Sequence, residues 1–134
     1  MREILFRGKI TEPCKYQGQW LEGFYGEGDG LSLIAIQESN GLNGFFCDPL
    51  TVGQYTGLTD KNGTRIFEGD ILEGDLEDNL DPGAKWRSVV VWEKFGWNCK
   101  EGHVSLPIDE FDIKESEVIG NIHDNPELME VNDG

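Results

Sequence analysis

The sequence predicts a mainly β protein with a compact, barrel-like fold. Glycine interrupts it often, with 18 glycines among 134 residues and short apolar runs between them, as in β-strands joined by turns. The apolar residues do not recur at intervals of three and four over a dozen positions, as an amphipathic helix requires. A third sign is Asn62-Gly63, between two runs rich in β-branched and aromatic residues, which is a strong hairpin signal.

Four strands are predicted before this hairpin. Residues 2–9 alternate charged and apolar side chains, which is typical of an edge strand guarded by charge. Residues 20–25 and 31–36 form the next two strands, joined by the glycine-rich turn 26–30. That turn is not a phosphate-binding loop, because a strand rather than a helix follows it. Residues 44–48 form a short fourth strand.

The central hairpin turns at Asn62-Gly63. A type I′ turn needs positive φ at both central residues, which Asn and Gly adopt at little cost. Asp60, Asn62 and Asp70 could instead supply oxygens to calcium. Gly63 stands fourth counted from Asp60, whereas an EF-hand needs its glycine at the sixth position, so a plain turn is favoured.

After the hairpin, the pattern predicts a strand that begins at 71–73 and pairs with 86–95. Residues 74–85, between them, are acidic and poor in apolar side chains, so we expect an exposed, mobile connection. It is either a docking loop or, as we favour, tolerated variation in length. Residues 89–92 place bulky groups on both faces, which predicts a central strand covered on both sides.

The last part of the chain is less regular. Residues 96–98 turn the chain into an extended segment at 99–106, and 117–122 form one more strand. The segment 107–115 is ambiguous. Residues 125–129 begin with Asn, Pro and Glu, which predicts a short closing helix with an N-cap, a first-position proline and an acid in its first turn.

The chain is strongly acidic. Its net charge is −15, from 26 acidic and 11 basic side chains. Direct binding to nucleic-acid phosphates is therefore not expected, because it takes clustered Lys and Arg. Between residues 109 and 134, nine acids accompany the single Lys114. A solvated acidic face is favoured; the alternative is a surface that imitates nucleic acid and occupies a basic groove on another protein.

Cysteine usage and hydropathy predict the compartment. The three cysteines include no C-x-x-C pair, which favours a reducing cytoplasm over secretion. Charged residues interrupt the first apolar stretch, so no signal peptide is expected, and no apolar run approaches the length of a membrane span. We expect a soluble cytoplasmic protein that contacts no membrane.

No motif predicts catalysis, since the chain lacks a G-x-S-x-G elbow, H-E-x-x-H and a Walker loop. His103 and His123 are the available neutral bases. Cys99 and His103 could supply two zinc ligands, completed by Cys14 or Cys47. Strand residues four apart lie about 13 Å apart, too far for one ion unless the chain turns at Gly102, and free cysteines are more often buried apolar residues, so buried cysteines are favoured over a zinc site. We predict no catalytic, cofactor-binding or metal-ligating residue.

Two tryptophans are candidate contacts for a partner. Most of the aromatic side chains are expected in the core, because they carry much of the burial in a chain of this size. Trp86 and Trp97 lie beside predicted turns. We expect both to be partly exposed, and exposed Trp is a frequent anchor at protein interfaces.

The chain resembles the YopX family at several places. It opens with a strand at 2–7, carries a Trp-x-x-Gly-aromatic step at 20–24, and contains the long block 51–71. It closes, as members of that family do, with a strand at 117–122 followed by Asn-Pro-Glu-Leu at 125–128.

The resemblance implies a phage or prophage protein that acts in the cytoplasm of a bacterial host. It implies one YopX-like domain over 1–134, with an N-terminal β subregion at 1–50 and a β subregion at 51–134 that resembles an SH3-type barrel and contains the acidic loop 74–85. It implies no reaction, cofactor or catalytic residue.

We predict a non-enzymatic module that binds an unknown protein partner or self-assembles into a homo-oligomer. Short strands in a small open sheet leave edges, and symmetric pairing is one way to cover them. The alternatives are an acidic inhibitor that mimics nucleic acid and binds a host DNA- or RNA-binding protein, and an enzyme with unrecognised chemistry.

Overall fold

The computed structural model describes residues 4–76 and 80–130. This part is mainly β, with eleven strands in two antiparallel sheets and four short 3-10 helices, which confirms the predicted fold class. The chain divides into two units, Met1–Tyr55 (unit 1) and Thr56–Gly134 (unit 2). Predicted features at 2–3, 77–79 and 131–134 lie outside the described residues.

Unit 1 is built on a meander of four antiparallel strands in the order β4-β3-β2-β1. Its elements are β1 (Phe6–Lys9), β2 (Trp20–Gly28), β3 (Leu31–Glu38), β4 (Gly41–Phe46) and the 3-10 helix η1 (Pro49–Thr51). The start of β5 (Gly53–Thr59) pairs with β1. Ile10, Ile34 and Cys47 are the buried residues at its core.

Unit 2 contains a five-stranded sheet in the order β10-β9-β8-β7-β11. The strands of this sheet are β7 (Asp70–Asp75), β8 (Lys85–Glu93), β9 (Gly96–Glu101), β10 (Val104–Pro107) and β11 (Glu117–Asn121), and the unit also contains β6 (Arg65–Phe67), which is outside this sheet. Its 3-10 helices are η2 (Ile108–Glu110), η3 (Ile113–Glu115) and η4 (Pro126–Met129). Strands β7 to β10 form an antiparallel meander, and β11 pairs with β7 at its other end.

A buried apolar cluster forms the core of unit 2. Its members are Ile66, Leu72, Val90, Cys99 and Ile113. Trp86, Phe111 and Val118 are partly buried and pack against this cluster.

The central hairpin is present, but the prediction of a type I′ turn is wrong. Gly63 has a φ of 78°, whereas Asn62 is not in the positive region. The Gly63 N–H donates to the Asp60 carbonyl at 3.0 Å, so a type I turn is followed by a left-handed glycine. The Asp60 side chain accepts the Asn62 N–H at 2.8 Å, and this local bond favours the type I geometry.

Strand β8 is central, but the prediction that both its faces are covered is wrong. Val90 is buried, whereas its neighbours Val89 and Val91, on the opposite face of the strand, are only half-buried. One face of β8 is therefore covered incompletely, as in many antiparallel sheets. In the connection before β8, Leu80 is 96% exposed, as expected. The predicted loop 74–85 is too long at both ends, because β7 runs to Asp75 and β8 begins at Lys85.

Both turns after β8 differ from prediction. Lys94 and Phe95, with φ of 54° and 64°, join β8 to β9, so the predicted turn 96–98 lies inside β9. The predicted segment 99–106 is two strands, because Gly102 and His103 form a second two-residue turn between Glu101 and Val104.

The closing helix is confirmed as the four-residue 3-10 helix η4, with Pro126 at its start. The predicted capping role of Asn125 is wrong, since its side chain makes no cap hydrogen bond. Asn125 Oδ1 instead accepts the Asn121 N–H at 3.3 Å. A Cβ added to Gly120 would lie 2.5 Å from that oxygen, so glycine there makes room for the turn that leads into η4.

Candidate binding groove

The candidate site is an open groove in unit 2, which we name the β10 groove. Its volume is about 840 Å³, within the range of sites that hold a ligand or inserted side chains. Strands β8 to β10 line one side and η4 lines the other. The apolar lining consists of Trp86, Cys99, Val104, Leu106, Phe111, Leu128 and Met129.

The register of the sheet explains why these side chains share one face. Cys99 pairs with Val90 on β8 and with Leu106 on β10, and Glu101 pairs with Val104. Paired residues point to the same side of a sheet. Val90 and Cys99 are buried, whereas Val104 is 61% and Leu106 is 45% exposed. The apolar face of the sheet thus extends beyond the core and ends uncovered at the edge strand.

Trp86 forms a wall of the groove and is held from two sides. Its indole lies over Gly74, its register partner on β7, where an added Cβ would come within 2.5 Å of the ring. On another side its ring centroid lies 4.9 Å from that of Phe111. Only glycine at position 74 leaves space for the indole, so the sequence of β7 determines where Trp86 lies.

Arg87 ties the wall formed by η4 to the sheet. Its Nε donates to Glu73 Oε2 at 2.7 Å, and its Nη1 donates to the Leu128 carbonyl at 3.3 Å. Leu128 and Met129 are thereby held beside β8, although a 3-10 helix of four residues would not persist alone.

The rim of the groove has an excess of negative charge. Arg87 and Lys85 are paired with Glu73 and Asp75 respectively. Glu101 and Glu130 also lie at the rim; these two make no ion pair with any other described residue. Two uncompensated carboxylates therefore border an apolar surface.

The floor of the groove is buried and offers no activated nucleophile. Burial raises the pKa of the Cys99 thiol to about 11, so this thiol is protonated at neutral pH. Ser88 is 3% exposed, and its hydroxyl makes no hydrogen bond to nitrogen or oxygen among the described residues. Its interaction with the Cys99 thiol is of the weak kind that sulfur forms.

Comparison with known proteins assigns the family. A family model described as YopX protein matches residues 11–130. The chain belongs to the YopX family. Its structure is similar to the crystal structure of protein EF1440 from Enterococcus faecalis, with a TM-score of 0.59 and 23% sequence identity over 97% of this chain and 100% of that chain. No curated protein matches the chain.

The two predicted contact residues of this YopX-family chain lie in different surroundings. Trp86 and Trp97 are both half-buried. Trp86 lines the β10 groove, whereas Trp97 packs edge-on against Trp92 with ring centroids 5.0 Å apart and is not part of the lining. Contact of either residue with a partner stays a prediction.

The groove residues on β10 are not among the contact residues predicted from the sequence. Val104 and Leu106 alternate with Ser105 directly after the turn at Gly102 and His103. This alternation could have located a separate short strand with one apolar face. Its position at the edge of the sheet depends on strand order, which the local pattern does not reveal.

The histidines and cysteines occupy separate surroundings. His103 is exposed in the turn before β10, and His123 is exposed after β11. Cys14, Cys47 and Cys99 are free thiols. Within 4–76 and 80–130, no three His, Cys, Asp or Glu side chains come together in a group that could hold a metal ion.

Of the helices that the structure describes, none has the length and apolar character needed to cross a bilayer.

Proposed function

We propose that this YopX-family chain is a non-enzymatic interaction module that binds a segment of another protein in the β10 groove. The observation that supports the proposal is the apolar face of the sheet that continues past the core and stays uncovered at Val104 and Leu106. Contiguous exposed apolar surface bordered by polar residues is typical of binding sites. Trp86, rigidly packed in the wall, is the kind of residue that anchors an interface.

The proposal includes the setting in which the module acts. The family resemblance favours a phage or prophage origin, and three free thiols favour the reducing cytoplasm of a bacterial host.

Self-assembly through β10 is the second candidate, because an edge strand can pair with its own copy. The net charge of −15 opposes it, since two copies repel each other. We therefore expect light scattering to find a monomer at low and high protein concentration. If the wild-type protein is a dimer and Leu106→Glu makes it monomeric, that result would favour self-assembly.

A selection experiment tests binding at the groove. Random ten-residue peptides displayed on phage are selected on the wild-type protein, and enriched peptides are measured by fluorescence anisotropy. Leu106→Glu should lower the affinity of the enriched peptides by about tenfold or more, because a leucine buried on binding contributes about 1.5–3 kcal/mol.

The matched control for the selection is Leu42→Glu, on β4 of unit 1, where the leucine is 57% exposed against 45% for Leu106. It should leave binding unchanged, and circular dichroism should show both variants folded. Equal binding to wild type and Leu106→Glu would contradict the proposal.

A further inference from the structure

We infer that the segment bound in the β10 groove is an extended chain, apolar at alternate positions and basic at its flanks, that adds to β10 as a further strand. This inference rests on the proposed function and names the class of partner for the same site. Three independent features of β10 support it: its backbone, its side-chain spacing and its charge.

Among the described residues, β9 is the only strand that pairs with β10, so the other side of the β10 backbone carries no paired strand there. Strand β10 is at one end of the sheet order. Val104 and Glu101 close a two-residue turn, so they form a hydrogen-bonded pair. The next pair, Ser105 opposite Lys100, is then a non-hydrogen-bonded pair. The N–H and C=O of Ser105 therefore point away from β9, where an added strand would meet them.

The side chains of β10 suit an extended ligand. Val104 and Leu106 are two residues apart and point to the groove, so they lie roughly 6–7 Å apart along the strand. Alternate residues of an added strand have the same spacing and would lie beside them, over the surface that Trp86 and Met129 continue. A helix would present its side chains at intervals of three and four instead.

The negative charge at the rim of the groove favours basic residues on either side of the apolar positions of the ligand. Glu101 and Glu130 border the groove without cationic partners among the described residues. Lys or Arg on either side of the apolar positions would neutralise them, whereas an acidic segment would be repelled by these carboxylates and by the net charge of −15.

The decisive experiment is a scan of backbone N-methylation on a peptide enriched in the selection described above. Each amide is methylated in turn, and affinity for the wild-type protein is measured by anisotropy. Strand addition predicts that every second methylation weakens binding, by about fivefold or more, because the amides in between point away from β10. A helical or irregular ligand gives no period of two.

A variant of the protein gives an independent measurement. Ser105→Pro removes the outward N–H without touching the hydrogen bonds to β9, and proline is tolerated on an edge strand where its nitrogen faces solvent. Ser105→Pro should lower the affinity for the peptide by about fivefold or more, whereas Ser105→Ala should leave the affinity unchanged. Circular dichroism establishes that both variants are folded, and the methylation scan decides the question if Ser105→Pro does not fold.

The outcomes separate this inference from the proposed function. A period of two together with Lys- or Arg-rich enriched peptides supports it. Peptides that depend on Leu106 but show no such period, or that are acidic, would overturn the inference and leave the interaction module standing. If no peptide depends on Leu106, both fail. A dimer broken by Ser105→Pro would identify a second copy of this chain as the occupant and overturn the inference.

Discussion

Replacing Asp60 tests what joins the hairpin loop of unit 2 to its last strand. Asp60 is 5% exposed. Its Oδ1 accepts the N–H groups of Asn62 at 2.8 Å and Thr64 at 2.9 Å, and its Oδ2 accepts the Val118 N–H at 2.9 Å. Burial raises the pKa of Asp60, but these backbone donors outweigh burial and hold the pKa below its ordinary value. Both carboxylate oxygens are thus bound to backbone, in place of the calcium that the sequence left as an alternative.

The magnitude follows from these three bonds. A hydrogen bond to a charged group contributes about 1.5–3 kcal/mol. Asn62 and Thr64 are exposed and can bind water instead, whereas Val118 is half-buried. We therefore expect Asp60→Ala to lower the free energy of unfolding by about 2–4 kcal/mol. Asp60→Asn should lower the free energy of unfolding by about 1–2 kcal/mol. Its amide keeps one oxygen as an acceptor, but its NH₂ group faces a backbone N–H that needs an acceptor.

Urea unfolding followed by tryptophan fluorescence measures this loss. In a Trp20→Phe background the remaining tryptophans all lie in unit 2, so the signal reports that unit. Asp81→Ala is the control, because Asp81 is exposed and accepts one local bond, from the Gly83 N–H at 3.3 Å. It should change stability by less than about 0.5 kcal/mol. An Asp60→Ala effect no larger than that of Asp81→Ala would refute the reasoning.

The pH dependence of the same pair of proteins gives a second test. The pKa of Asp60 is lower in the folded than in the unfolded state, so its contribution is fully present above its unfolded pKa of about 4. The contribution is lost as the pH falls through the folded-state pKa. The difference in stability between wild type and Asp60→Ala should therefore be constant from pH 7 to pH 5 and shrink below about pH 4. A difference at pH 2 as large as that at pH 7 would show that the carboxylate charge is not involved.

Three further variants test other features of unit 2 by the same unfolding assay. Lys94→Asn combined with Phe95→Gly should raise stability by about 1–2 kcal/mol, because Phe95 is 99% exposed and both residues hold a positive φ; unchanged stability would show that the turn is not strained. Gly74→Ala should cost about 1–3 kcal/mol and shift the emission of Trp86 to longer wavelength, because the added Cβ meets the indole; an unshifted emission would contradict that contact. Ser88→Ala should leave stability unchanged or raise it by up to about 1 kcal/mol, and a measurable loss of stability would mean that the buried hydroxyl has a strong partner.

The fold class and most strands follow from local pattern, but turn types do not. Asn62-Gly63 is the best type I′ dipeptide in the chain, yet the side chain of Asp60 favours a type I turn there. Neither Lys94 nor Phe95 is a glycine or an asparagine, and yet both adopt positive φ. Glu93 pairs with Gly96, so the two residues between them must take the tight geometry that the sheet register imposes.

The groove was only partly predictable, for a related reason. Trp86 stands beside a turn, which is visible in the sequence and favours partial exposure. Val104 and Leu106 have an ordinary apolar alternation, and their exposure arises because β10 is the last strand of the sheet. Strand order depends on pairings between distant residues, so propensity and periodicity do not supply it.

The acidity of the chain and its apolar groove have linked consequences. An open edge strand with apolar side chains invites pairing with another copy, and natural proteins guard such edges with charge. Here Glu101 lies beside the edge strand and Glu130 lies at the rim of the groove, both without cationic partners among the described residues, so we expect an identical acidic copy to be repelled and a basic segment to be attracted. The effect of salt on affinity distinguishes a partner bound in the groove from one bound to an acidic surface that imitates nucleic acid. Salt screens charge but leaves apolar contacts intact, so a partner anchored in the groove loses part of its affinity, and one held by charge alone loses nearly all of it.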